Sequence, residues 1–213
     1  MKDSFINAVP AEEALEIMGG NVIGLECAGQ LGVDLTYSGL ESSTTVPYPK
    51  AVLQKCARGH GHVLAFVPQI SISRMREIVG SGMFSVCAPR LFASDPALVH
   101  PGDKEGWFLL AKEGVRKPLF VPKGQQLELF ESGVVTPPAR VMVYAALAKW
   151  LILEERMYQD ALHQSGTGWG DGGRIDVGTF AVGGPFQVGI SLVGTSAGAA
   201  THPVSQMFQP MLL

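Results

Sequence analysis

The longest uninterrupted apolar stretch of the chain predicts a buried helix. From Val141 to Leu153 every residue except Lys149 is apolar or alanine, so the pattern leaves no face for water. Thr136 and the two prolines after it suit a helix start, where amides have no helical partner. The stretch falls short of the about 20 apolar residues that span a bilayer. Beyond it the apolar positions narrow to one stripe, which predicts a surface helix continuing to His163.

Two alternating segments in the last third of the chain predict an antiparallel hairpin. Residues Arg174 to Val182 and Phe186 to Val193 alternate between apolar and polar positions, and Gly183, Gly184 and Pro185 link them.

Shorter elements precede the long helix. The pattern predicts helices beginning near Pro10, Pro49 and Ser71, and strands over 22–25, 63–67, 84–87 and 107–111. Residues 26–45, 89–102 and 166–174 are predicted to be loops. The whole chain, residues 1–213, is expected to form a single α+β domain. It would have a mixed, mainly antiparallel sheet packed around one long buried helix, with several short helices.

Composition adds the strongest hint about partners. Charged residues make up only 16% of the chain and apolar residues 46%, whereas soluble proteins average about 25% charged. Because a monomer must cover its surface with polar groups, this balance favours burial against other subunits, as a homo-oligomer or part of a larger assembly such as a virion or intracellular particle. The net charge of -3, with no basic run, argues against nucleic acid as a partner.

The cysteines and the amino terminus indicate a reducing compartment. Cys27, Cys56 and Cys87 are odd in number and far apart, so they form no disulfide framework. The first fourteen residues contain three acidic residues and no continuous apolar stretch, unlike a secretory signal. We expect a cytoplasmic protein that binds no membrane and no cofactor.

One short motif suggests a serine nucleophile. Residues 194–198 read G-x-S-x-G directly after a predicted strand, the arrangement that lifts a serine hydroxyl out of a strained turn. The hypothesis makes Ser196 the nucleophile, supported by Asp171 or Asp176. His202, six residues after the serine and followed by proline, is too close in sequence to complete a triad in the usual order. The alternative is a packed turn of small residues.

The same string resembles two known serine turns. GTSAGA resembles the turn of cyanophycinase-like peptidases, and GTSAG that of patatin-like lipases. The resemblance implies a serine hydrolase. In the patatin-like pattern an aspartate motif follows the serine, whereas Asp171-Gly172-Gly173 precedes it in this chain.

A second cluster suggests a metal. Cys56, His60 and His62 offer three thiolate or imidazole ligands within seven residues, which suits Zn²⁺ or Cu²⁺. The alternative is a core cysteine beside two ordinary histidines. The glycine-rich run over 166–174 contains Asp171, which with Asp176 could bind Ca²⁺, but the EF-hand spacing is absent.

A longer segment resembles a family of uncharacterised bacterial proteins with no assigned activity. Within residues 136–193, the matching features are V-x-V-Y in the helix, a later E-R pair, a D-G-x-R turn and a hairpin. This resemblance implies a shared architecture and no activity.

Three functions therefore remain open. The sequence favours a non-enzymatic binding or assembly subunit of a larger complex. The alternatives are a serine hydrolase using Ser196 and a metal-dependent enzyme using Cys56, His60 and His62.

Overall fold

A computed structural model describes residues 8–33, 43–86, 92, 94–101, 105–113, 134–159, 162–169, 173–180, 186–193 and 207–208. The helices are α1 (Ala11–Met18), α2 (Leu25–Gln30), α3 (Lys50–Gly59), α4 (Ile72–Val79), α5 (Pro96–Val99) and α6 (Ala139–Leu153). The strands are β1 (Val9–Pro10), β2 (Val22–Ile23), β3 (Thr45–Val46), β4 (His62–Val67), β5 (Phe84–Val86), β6 (Gly106–Ala111), β7 (Val134–Val135), β8 (His163–Trp169), β9 (Gly173–Phe180), β10 (Gln187–Val193) and β11 (Met207–Phe208).

The first large sheet has five strands in the order β2-β4-β6-β11-β7 and separates two apolar cores. Its second strand, β4, alternates, with Val63 and Ala65 facing one core and Leu64 and Phe66 facing the other. The period of two comes from the pleat, which sends successive side chains to opposite faces. Helices α1 and α3 cover the second of these faces with residues such as Leu53.

The second large sheet has four strands in the order β5-β10-β9-β8. Strands β9 and β10 pair antiparallel from Arg174↔Val193 to Phe180↔Gln187, which confirms the predicted hairpin. Of the pairings between described strands, only β5 with β10 and β2 with β4 are parallel. The predicted α+β class with a mainly antiparallel sheet arrangement is therefore confirmed.

Helix α6 lies between the two large sheets. It contacts β2 and β4 on one side and β8, β9 and β10 on the other. All residues from Val141 to Lys149 are buried, because a sheet covers each side of the helix. Thr167 of β8 accepts a hydrogen bond at 2.7 Å from the first helical amide, that of Ala139. The predicted cap, Thr136, is therefore wrong, and the capping hydroxyl comes from a distant strand.

The predicted extension of this helix to His163 is wrong. The helix ends at Leu153, and Glu154 adopts a left-handed conformation with φ of 54°. The Glu154 amide donates to the Trp150 carbonyl at 2.9 Å, and the Glu155 amide to the Lys149 carbonyl at 3.2 Å. The first of these bonds is that of the αL motif, which normally places glycine at the left-handed position. A glutamate there gives no helix-ending signal in the sequence.

Other elements also differ from the sequence predictions. Helices α2 and α5 form in segments predicted as loops, the latter with Asp95 as its N-cap. Strand β8 occupies residues 166–169 of the run predicted as a glycine-rich loop, and its pairing with β9 has a bulge between Gln164 and Gly168. Ser165 supports the bulge by donating its hydroxyl to the Ile175 carbonyl at 2.6 Å.

Within the described residues, no helix is long and apolar enough to cross a membrane.

Candidate functional site

The loop formed by residues 154–159, hereafter the 154–159 loop, ties the two large sheets together. The Tyr158 amide donates to the carbonyl of Lys112, the residue just after β6, at 2.9 Å. The Tyr158 carbonyl accepts from the Thr179 amide of β9, also at 2.9 Å. The Thr179 hydroxyl donates to the Met157 carbonyl at 2.5 Å. These bonds hold Met157 and Tyr158 between β9 and the residue that follows β6.

The backbone of this loop is strained at two places. Glu154 and Tyr158 have φ of 54° and 55°, values that ordinary L residues adopt at a cost of roughly 1–2 kcal/mol each. The side chain of Tyr158 is fully buried, so packing fixes its conformation. Strain of this kind persists only where the surroundings enforce it, and it concentrates at functional sites.

The loop forms one wall of a cavity of about 420 Å³, hereafter the charged cleft. The volume is in the range of small-molecule sites. The residues that line it are Lys112, Glu113, Trp150, Glu154, Glu155, Arg156 and Gln159.

A buried ion pair adjoins the charged cleft. The Lys149 side chain is only 1% exposed, and its Nζ lies 3.0 Å from Oε2 of Glu155, whose side chain is 55% exposed. The Gly20 carbonyl lies 3.5 Å from the same nitrogen. Removing an ammonium group from water costs several kcal/mol unless a partner offsets it. Glu155 therefore has a structural task as well as lining the cleft.

A second lysine lies beside this pair. Lys112 is half-buried and donates from Nζ to Oδ1 of Asn21 at 2.6 Å. Burial lowers the pKa of Lys112, and the positive charge of Lys149 lowers it further, while Glu155 acts in the opposite direction. Both lysines thus reach toward the turn between α1 and β2.

Aromatic packing supports the opposite wall. The Trp150 ring stacks on Phe186 with ring centroids 4.6 Å apart and an interplanar angle of 11°. Stacking of this kind contributes about 0.5–1.5 kcal/mol beyond area burial. The indole is therefore a rigid surface for a ligand to contact.

The predicted serine site is only partly described. Ser196 and Asp171 lie outside the described residues. Asp176 is fully buried on β9, and its Oδ1 accepts from Nε of Arg174 at 2.9 Å. Strand β9 lies between β8 and β10, so these two residues are not edge-strand charges. The role of Ser196 stays a prediction.

The predicted metal ligands occupy different settings. Cys56 is buried in the core beneath α3, where burial raises the pKa of its thiol to about 11. His60 is exposed at the end of α3 in a left-handed conformation, and His62 is half-buried at the start of β4. Burial and the charge of Lys55 lower the pKa of His62. Across the described ranges, no group of three or more His, Cys, Asp or Glu residues could hold a metal ion.

The sequence pattern indicated only some of the residues at the charged cleft. A surface helix continuing to His163 would place Glu154, Glu155 and Arg156 on its solvated side, whereas in the structure they line the cleft. Lys112 comes to the cleft through the pairing of β6 with β4, which no local pattern reveals. Lys149, the single charge in the apolar stretch, was the one available signal.

The chain matches no protein-family model, no curated protein and no solved structure.

Proposed function

We propose that this protein is a non-enzymatic binding protein that holds a small polar ligand in the charged cleft. The observation that supports the proposal is the construction of the 154–159 loop. A loop strained at Glu154 and Tyr158 is bonded to both sheets and turns charged side chains toward a cavity of about 420 Å³. A loop that served only to connect two elements would need neither the strain nor the double anchorage.

The charges of the site indicate a ligand with little net charge. The three cations at or beside the cleft are matched by three carboxylates; these residues are Lys112, Lys149, Arg156, Glu113, Glu154 and Glu155. A site with balanced charge does not attract strongly anionic or cationic molecules from a distance. It offers hydrogen-bond donors and acceptors together, which suits a neutral molecule rich in hydroxyl or carbonyl groups.

Thermal-shift screening followed by titration calorimetry tests this proposal. The panel would contain neutral polyols, small sugars and hydroxylated carbonyl compounds, with simple anions and cations for comparison. We expect a neutral polar compound to stabilise the protein and Arg156→Gln to weaken its binding about tenfold, a loss of about 1.4 kcal/mol. The matched control is Arg74→Gln, on α4, where Arg74 pairs with Glu77 at an exposed surface. Equal effects of the two substitutions would count against the cleft.

A second candidate function, self-assembly, is supported by two exposed leucines at the end of α6. Leu151 and Leu153 are 44% and 39% exposed on a helix that is otherwise largely buried. Together with the low charge content, they favour a second copy of this chain as the partner. We expect Leu151→Gln with Leu153→Gln to convert an oligomer to a monomer in light scattering, while Leu15→Gln, 37% exposed on α1, does not. A wild-type monomer at every concentration would remove this candidate.

A further inference from the structure

Lys112 is placed to act as a nucleophile as well as a hydrogen-bond donor. It lines the charged cleft, and its Nζ is held at 2.6 Å from Oδ1 of Asn21. A neutral lysine amine has two N–H groups and one lone pair. With one N–H directed at Asn21, the amine is oriented and its lone pair stays available.

The surroundings increase the fraction of the Lys112 amine that is neutral, compared with an exposed lysine. The groups whose charges face the amine are Lys149 of α6 and Glu155 of the 154–159 loop, with Glu113, Glu154 and Arg156 around the same cleft. Burial and Lys149 lower the pKa of Lys112. Since Glu155 already pairs with Lys149 at 3.0 Å, its charge is shared between the two lysines. A desolvated lysine beside another cation is a recognised arrangement for an amine that attacks carbonyl groups.

We infer that Lys112 captures a small, uncharged, hydroxyl-bearing aldehyde or ketone as a reversible imine in the charged cleft. This inference rests on the proposed binding function of the cleft and names the chemical class of its ligand. The hydroxyl groups of such a ligand match the mixed donors and acceptors of the walls. Trp150 presents a rigid ring to its carbon skeleton.

The chemistry balances without another reactant. The Nζ lone pair forms a bond to the carbonyl carbon while the C=O π electrons move to oxygen, giving a carbinolamine. The carbinolamine then expels that oxygen as water and becomes the imine, and the water carries away two protons that the amine has lost. The carboxylates of Glu113, Glu154 and Glu155 are the groups positioned to relay those protons. Water reverses the reaction and releases the ligand.

Reductive trapping tests the inference. Protein is incubated at pH 7 with D-glyceraldehyde and cyanoborohydride, which reduces an imine to a stable amine, and each lysine is followed by peptide mass spectrometry. We expect Lys112 to be modified severalfold faster than Lys55, an exposed lysine of α3. The lowered pKa of Lys112 increases the fraction of neutral amine that can attack a carbonyl group at pH 7. In denaturant the two rates should become equal.

The Lys149→Met variant tests whether the neighbouring cation, and not simply the exposure of Lys112, makes this lysine reactive. Removing the neighbouring cation should return the Lys112 rate at pH 7 toward that of Lys55. Lys112→Arg should abolish the dominant adduct. Equal rates at Lys112 and Lys55 in the folded wild type would overturn the inference, as would an unchanged Lys112 rate in Lys149→Met.

A parallel NMR titration distinguishes failure of the imine inference from failure of the proposed binding function. Glycerol, which lacks the carbonyl, and glyceraldehyde without reductant are titrated in parallel by NMR. If both perturb cleft residues but no Lys112 adduct forms, the imine is wrong and the binding function stands. If neither perturbs the cleft and no Lys112 adduct forms, both proposals are overturned.

Discussion

Lys149 and Glu155 are joined twice, by a backbone hydrogen bond of 3.2 Å that closes α6 and by a side-chain ion pair of 3.0 Å. The first bond sets where the helix ends, and the second neutralises the charge buried just before that end. The residues that end α6 therefore also line or adjoin the charged cleft.

Removing Glu155 and removing Lys149 should change the free energy of unfolding by different amounts. Glu155→Gln leaves the Lys149 ammonium buried without its carboxylate, and we expect a loss of about 2 kcal/mol in the free energy of unfolding. This lies below the range for fully buried pairs because Glu155 is half exposed. Lys149→Met replaces the charge by an apolar chain of similar length and should be near neutral. Urea denaturation of both variants and the double variant measures this. A loss from Glu155→Gln that persists in the Lys149→Met background would contradict the pairing argument.

Replacing Glu154 with glycine should weaken ligand binding and raise the free energy of unfolding. Glu154→Gly relieves the left-handed strain, and we expect the free energy of unfolding to rise by about 1 kcal/mol after the extra flexibility of the unfolded chain is subtracted. Glu154→Asn is the matched control, because asparagine tolerates this conformation while keeping a polar side chain. Both variants should weaken binding of the neutral polyols that stabilise the wild type. A destabilised Glu154→Gly protein would show that the carboxylate has a structural role instead.

The hydroxyl of Thr179 should be necessary for the anchorage of the 154–159 loop. Thr179→Val keeps the shape of the side chain but leaves the buried Met157 carbonyl without this donor, so we expect a loss of about 1–3 kcal/mol. Thr179→Ser retains the hydroxyl and should lose less. Hydrogen exchange at the Tyr158 amide reports the local effect, and it should accelerate in the valine variant alone. Unchanged protection there would mean that the other bonds suffice.

Alkaline pH should destabilise the fold through its buried thiols and phenols. Burial raises the pKa of Cys27 and Cys56 to about 11, from 9.0 for an exposed thiol, and it also raises the pKa of Tyr48 and Tyr144. Between about pH 9 and 11 the unfolded chain therefore binds fewer protons than the folded one, so stability falls as pH rises. Urea midpoints from pH 7 to 11 measure this. Cys27→Ala with Cys56→Ala should flatten the thiol part of the slope, and an unflattened slope would assign the effect to the tyrosines or other groups.

The sequence predicted the elements whose signals are local. The apolar stretch identified the buried part of α6, and alternation identified the β9-β10 hairpin, because each pattern follows directly from the geometry of one element. The end of α6 was mispredicted because a glutamate occupies a position that usually holds glycine. Strand β8 was mispredicted because it is rich in glycine, serine and threonine, and pairing with β9 overrides that preference.

The site was less predictable than the fold. Its two lysines lie 37 positions apart and meet only because α6 is packed against the sheet that contains β6. The residues singled out by motif, Cys56, His60 and His62, are not among those that line this cleft, and Asp176 is engaged by Arg174. Short motifs report local turn chemistry, whereas a cleft between packed elements depends on long-range pairing.

The most direct test of the binding function is a two-dimensional NMR titration of isotope-labelled protein with the best neutral polar compound from the thermal-shift panel. We expect saturable chemical-shift changes concentrated at residues 112–113 and 154–159 and at the Trp150 indole. These changes should be lost in Arg156→Gln but not in Arg74→Gln. Shifts centred on His60 and His62, or no saturable shift at the cleft, would contradict it.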